Sequence, residues 1–334
     1  MEREKYIDCL RIISAYSVVL LHSTSYAIYE LNGFFQQFVF LNTFTRFAVP
    51  IFFMCSGAVI LKPGFNIEGL VSRNKRILLP LIFWSCFYEF YLIYCGIHKN
   101  FLTILNDILH DKVMYHMWFL YALLGVYLLI PFLYKMIQGM DLKDWKWFWI
   151  LSILITLFKT IATYNNSSLP ASFTIVPICI VYVIAGYYLA HFKFFQLKTV
   201  VYIGYCLLSV LIIAMLTIST SNLLGKYTES FIALDSFFIF FGSCNMFLLI
   251  KSSSNFLENR YLSYIIEHLS RTTFFCYLSH VLILDILYNK LYNHDFFSTA
   301  SPILSSIFLS VITFLICVIV GIILKRFPIF NKFI

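Results

Sequence analysis

The sequence predicts an all-α fold: a polytopic membrane helix bundle of about ten transmembrane helices, with N- and C-termini cytoplasmic. Three observations predict it. Hydrophobic residues make up 61% of the chain and charged residues 12%, with a mean hydropathy of +0.85, which no soluble core requires. Apolar windows of about twenty residues recur along the whole length. Lysine and arginine gather at alternate ends of those windows.

The windows run over 8–29, 38–61, 77–97, 116–137, 146–163, 171–191, 200–219, 230–250, 267–289 and 302–324. The first follows MEREKYID, which mixes acids with bases, and no small-residue cleavage site comes after it. It is therefore expected to remain as a span. The second contains VPIFFMCSGAVIL, where Pro50, Ser56 and Gly57 loosen a helix and let backbones approach. The third opens on VSRNKRILLP and the fourth on HMWFLYALLG. The fifth is the weakest, being short and carrying Lys159 at its far end. Gaps are short, without strand alternation, low-complexity tracts or an evident repeat. Residues 1–334 read as a single membrane domain with no appended soluble domain.

With the N-terminus inside, seventeen lysines and arginines fall at inner ends and loops, and five (Lys99, Lys112, Lys159, Lys226 and Lys290) fall outside. Arg11 and Arg46 lie within spans and complete the twenty-four. That asymmetry fixes the orientation. It also makes the net charge of +8 a topological signal, which argues against a nucleic-acid partner. The nine cysteines lie mostly in apolar runs without CxxC or zinc spacing, so they read as small membrane-core residues and no metal is expected.

An ionisable side chain at mid-membrane costs about 2.5–3.5 kcal/mol, so each one is a functional candidate. Arg11 and His22 stand eleven positions apart in RIISAYSVVLLH. Eleven steps of the helix turn through about 1100°, roughly 20° past three full turns, and rise about 16 Å. The two side chains therefore share one face. Asp8, one turn before Arg11, is a natural partner for it. By depth, His22, Arg46, Glu89 and His280 fall in one layer, which suggests a shared polar cavity. An internal Glu89–Arg46 ion pair is the plainer alternative. Histidine is the side chain best suited to proton transfer near neutral pH, which favours function for His22.

Arg73 and Arg76 stand three apart at the start of the third span, with Lys75 beside them. A helix N-terminus offers free N–H groups and partial positive charge, and arginine forks match phosphate oxygens. The pair suits a phosphorylated cytoplasmic ligand; ordinary positive-inside flanking is the alternative. Ser56, near the inner side, could line a cofactor channel or simply pack. Trp118 is the aromatic expected at an interface. His116, at the mouth of a cavity, could contact a polar acceptor.

Arg11 and His22 as R-x10-H, RFAVPIFFMCSG at 46–57, Arg73 and Arg76 as R-x-x-R, HMWFLYALLGVYLLIP at 116–131 and YLSH at 277–280 together resemble acyltransferase family three. These are ten-span bacterial membrane O-acyltransferases of surface glycans. The resemblance implies an acyl-CoA donor, acetyl-CoA foremost, taken from the cytoplasm, and a hydroxyl acceptor on an extracytoplasmic or membrane-linked glycan or glycolipid. It implies that Arg11, Arg73 and Arg76, with Lys75 and Ser56, hold the cofactor. His22 would act as general base or briefly carry the acyl group, and Arg46 would stabilise the oxyanion. His116, Trp118, Glu89 and His280 would face the acceptor. The implied setting is the inner membrane of a bacterial cell, with the bilayer itself as a partner; the acceptor, acyl chain and oligomeric state stay open. Without an extracytoplasmic hydrolase-like domain, the chain resembles the stand-alone members. The alternatives are a polysaccharide or glycoside exporter and a non-catalytic partner in glycan synthesis.

Overall fold

The computed structural model describes residues 4–28, 34–62, 64–164, 178–192, 197–257, 259–292, 301–328 and 330–333. The fold is helical, at 83% helix, with no strand among the described residues. Its helices are α1 (Lys5–Ile28), α2 (Phe35–Thr45), α3 (Ala48–Ile60), α4 (Ile67–Tyr94), α5 (Phe101–Leu109), α6 (Trp118–Gln138) and α7 (Leu142–Tyr164). They continue as α8 (Ile178–His191), α9 (Thr199–Leu224), α10 (Phe237–Ser252), α11 (Ser254–Leu257), α12 (Arg260–Ser270), α13 (Thr273–Tyr292) and α14 (Pro302–Leu324). Among the described residues, eight stretches are long and apolar enough to cross a membrane, with α2 and α3 counted as one. Of the other two expected spans, 267–289 becomes α12 and α13. The other is seen only as α8, its first residues, 171–177, lying outside the described residues.

α1 is the hub, with α2, α3, α12, α13 and α14 all packed against it. That placement buries most of its length and leaves Arg11 and His22 half-buried among these helices. α3 and α8 are pressed together backbone to backbone. A Cβ on Gly57 would stand 1.8 Å from the Val183 carbonyl oxygen, and one on Gly186 2.1 Å from that of Met54. Only glycine permits this approach, the usual device where apolar helices must associate without a hydrophobic driving force.

Two expected spans are broken, each for a local reason. The second divides at Arg46–Phe47. Pro50, the third residue of α3, has no N–H to return to the preceding turn. The Thr43 and Thr45 hydroxyls donate to the carbonyls of Val39 and Asn42, at 2.8 and 2.7 Å. The ninth divides at Arg271–Thr272. There the Ser270, Thr272 and Thr273 hydroxyls donate to carbonyls three residues back and compete with the helical ladder. Arg271 also holds Glu267 at 2.5 Å.

Two amphipathic helices were not expected as separate elements: α5 lies outside the expected spans, and α12 overlaps only the start of 267–289. α5, capped by Asn100 on the Thr103 N–H at 2.8 Å, buries none of its residues and exposes Phe101 and Leu102. α12, capped by Asn259, exposes Tyr261 and Tyr264 while packing on α1. Both have the build of helices lying in a membrane interface.

Candidate active site

The site extends along one face of α1. At the Arg11 end, α3, α4, α6 and α13 meet α1 around a cavity of about 330 Å³. Its mouth is formed by Arg11, Arg73 and Arg76, and its wall includes Ser56, Tyr127 and Thr273. No carboxylate lines it among the described residues. Asp8 lies 3.9 Å from Arg11, the i,i+3 contact their spacing allows. The Ser56 hydroxyl donates to the Phe52 carbonyl at 3.0 Å and accepts from the Tyr127 hydroxyl at 3.2 Å. Lys75 is exposed and is not part of the wall. Two helical steps turn it about 200° from Arg73, whereas three bring Arg76 back to the same side.

Deeper in, Phe52, Phe119, Leu123 and Tyr277 give the cavity an apolar lining. Tyr277 joins the two halves of the site. Its ring lines the cavity, its hydroxyl donates to the His116 carbonyl, and its ring centroid lies 6.1 Å from that of His280.

Three histidines pack together behind it. His22 Nδ1 and His280 Nε2 are 2.7 Å apart, with the rings stacked at 5.0 Å and 11°. His280 is fully buried, and its Nδ1 faces the carbonyls of Tyr277 and Cys276 at 2.7 and 3.1 Å. His116 packs edge-on against His280 at 5.1 Å. It is buried, and neither of its ring nitrogens has a hydrogen-bond partner among the described residues. His22 is half-buried, with Tyr115 edge-on at 4.9 Å. Its Nε2 has no partner among the described residues.

Arg46 and Glu89 do not pair with each other. At the α2–α3 break, Arg46 donates to Asn42 at 2.8 Å and pairs with Glu229 at 3.3 Å. Glu89, buried on α4, pairs with Lys99 at 3.0 Å, and Lys99 also holds Asp107 at 2.7 Å. Beside them Asp111 takes a left-handed φ of 57°, which aspartate tolerates better than most residues. Burial pushes its carboxyl up to about 6. Trp118 is half-buried at the start of α6 and is not part of the cavity wall. His280 faces His22 and backbone carbonyls, which leaves neither of its nitrogens for an acceptor.

The sequence reading assigned no role to Tyr277, Tyr127 or Glu229. Tyr277 carried a usable signal, standing one helical turn before His280 in YLSH. Glu229 carried none, since its pairing with Arg46 spans 183 positions.

The arrangement offers a cavity with three arginines and an apolar lining and, beyond Tyr277, a cluster of three histidines in which His22 Nε2 has no partner among the described residues. A second cavity of about 200 Å³, between α9 and α10, is lined almost wholly by apolar side chains and holds no comparable group.

A family model described as an acyltransferase domain matches residues 4–322. An amino-acid racemase of Enterococcus faecalis is 32% identical over 120 residues, covering 35% of this chain and 16% of that protein. The matched part is thus about one-sixth of the relative's length. No solved structure matches.

Proposed function

The chain belongs to acyltransferase family three and is a multi-pass membrane protein, and from that premise we propose that it transfers an acyl group, acetyl foremost, from cytoplasmic acyl-CoA to a glycan hydroxyl. The acceptor lies on the outer face of a bacterial inner membrane or is linked to its lipid. The observation that carries the reading is the cavity itself. Its three arginines suit the phosphates of coenzyme A, and its apolar lining suits the extended arm. The rise of about 16 Å from Arg11 to His22 is of the order of that arm's length. The lysine and arginine asymmetry supports placing the arginine mouth on the cytoplasmic side.

The chemistry then follows from His22. Its free Nε2 takes the proton from the acceptor hydroxyl as the oxygen attacks the thioester carbonyl. The tetrahedral intermediate collapses, the C–S bond breaks, and the departing thiolate takes that proton back from the imidazolium. Ester and free coenzyme A are the products, and His22 returns to its starting state. Arg46, engaged by Asn42 and Glu229, orders the α2–α3 break in this reading instead of serving as the oxyanion donor. His116, buried with both nitrogens unused among the described residues, is the better candidate for meeting the acceptor.

The same α2–α3 break is the observation that favours the exporter reading, because interrupted helices recur in transporters. Binding of acetyl-CoA to the purified protein in nanodiscs separates the two. The wild type is expected to bind in the micromolar range and Arg73→Ala/Arg76→Ala to lose that binding. A folded wild type that binds no acetyl-CoA would overturn the transferase reading, and glycan flux would become the assay of choice.

A further inference from the structure

We infer that His280 is a positioning residue that fixes the tautomer of His22 and so decides which of its nitrogens can act as a base. The argument starts at the end of the chain of hydrogen bonds. His280 Nδ1 faces two carbonyl oxygens, those of Tyr277 at 2.7 Å and Cys276 at 3.1 Å. A carbonyl can only accept, so Nδ1 carries the hydrogen. The ring is fully buried and no carboxylate contacts it among the described residues, so it is a neutral imidazole: an unpaired charge there would be costly to bury. A neutral ring protonated on Nδ1 has a bare Nε2, which accepts.

That bare nitrogen lies 2.7 Å from His22 Nδ1. His22 therefore carries its hydrogen on Nδ1 and donates it to His280. This leaves the lone pair on His22 Nε2, the nitrogen without a partner among the described residues. In free histidine the hydrogen would favour Nε2 and the base would face the wrong way. The backbone of α13 thus sets the state of a side chain on α1, 258 positions away, through one intervening ring. When His22 takes up a proton, its Nδ1–H keeps its acceptor, so no hydrogen bond is lost as the charge forms. The arrangement follows the general logic of a base oriented by a third group, with a histidine and two carbonyls standing where a carboxylate often does.

This rests on reading His22 as the base, but its primary test does not. Nitrogen-15 NMR of histidine-labelled protein in nanodiscs reports which ring nitrogen is protonated, with His22 identified by the signals lost in His22→Gln. The wild type is expected to show His22 protonated on Nδ1 and bare on Nε2. His280→Gln, whose amide oxygen can accept from Nδ1, is expected to keep that state, and His280→Ala to move the hydrogen to Nε2. A wild-type His22 protonated on Nε2 would overturn the inference even if no His280 variant folded, as would an unchanged tautomer in His280→Ala. Kinetics provide the second readout. His280→Ala is expected to lower kcat about tenfold to a thousandfold with KM for acetyl-CoA unchanged, and His280→Gln to recover most of it. A raised KM with unchanged kcat would instead make His280 a donor contact. Failure of acyl transfer in every protein, with the expected tautomer present, would count against the proposed function and leave the positioning role standing.

Discussion

Arg11 and His22 share one face of α1, yet their surroundings differ in kind. The Arg11 end opens on a cavity with two further arginines and, among the described residues, no carboxylate on its wall. The half-buried His22 packs against the buried His280 and the exposed Tyr115 ring, with His116 and Tyr277 against His280 behind it. A charged group must reach water or a counter-ion, so the arginine end is left open. A base, as proposed for His22, must keep a lone pair and a fixed orientation, which the ring of His280 beside it supplies. One helix serves both needs because eleven residues bring its face round again after three turns. Under the proposed function, binding and chemistry are divided between the two ends and should be separable by mutation.

The largest expected effect lies at the histidine end. His22→Gln removes the base and should lower transfer by about 10²–10⁴-fold, while acetyl-CoA binding measured by calorimetry stays within about twofold of wild type if the ends are independent. Loss of binding together with activity would merge the two regions into one.

The next effect probes the frame that holds the ends in register. At Gly57 any side chain must displace the Val183 carbonyl, so Gly57→Leu should destabilise the α3–α8 seam by about 1–3 kcal/mol or more. Gly125→Ala, with open space around its Cβ position, serves as the control and should shift thermal unfolding little. Equal shifts for both would mean that the seam is not close-packed.

A smaller effect concerns the loop before α6. Burial raises the Asp111 carboxyl to about 6, so the folded protein holds this proton more tightly than the unfolded chain. Its contribution to stability is therefore favourable at low pH and is lost as pH rises from about 4 to about 6. Asp111→Asn keeps the left-handed backbone and removes the titration. It should unfold at a higher temperature than wild type at pH 7, with the gap closing as pH falls through that window. A gap that widens at low pH would show that the carboxyl is stabilised as an anion.

The smallest effect belongs to the α2–α3 break. Glu229 is more than half exposed, so Glu229→Gln should change stability by less than about 1 kcal/mol. Transfer rates should then move little in either Glu229→Gln or Arg46→Gln. A hundredfold fall in kcat confined to Arg46→Gln would return Arg46 to the chemistry as an oxyanion donor.

How much of this was legible depended on the range of the interaction. The shared face of Arg11 and His22, the Asp8–Arg11 contact and the common side of Arg73 and Arg76 are consequences of helical period, and the sequence carried them directly. The same period should have set Lys75 apart. Membrane spans were legible as long apolar runs, but α5 and α12 were not, because short amphipathic helices do not fill a twenty-residue window. The break at Arg46 was half legible: Pro50 signalled it, whereas its location depends on threonine hydroxyls turning back on their own helix. Depth placed His22 and His280 in one layer. It could not reveal that their rings touch, nor that Arg46 and Glu89 each have another partner. Such contacts depend on how α1, α4 and α13 are rotated in the bundle, which packing decides.

The most direct test of the division of labour is a paired measurement on three proteins: wild type, His22→Gln and Arg73→Ala/Arg76→Ala. Each would be measured for acetyl-CoA affinity and, at saturating acetyl-CoA, for acyl transfer. The account predicts that His22→Gln binds like wild type but does not turn over. It predicts that the arginine variant loses affinity by about tenfold or more and keeps much of its kcat wherever saturation can be reached. The reverse pattern, with affinity lost in His22→Gln and retained in the arginine variant, would contradict it.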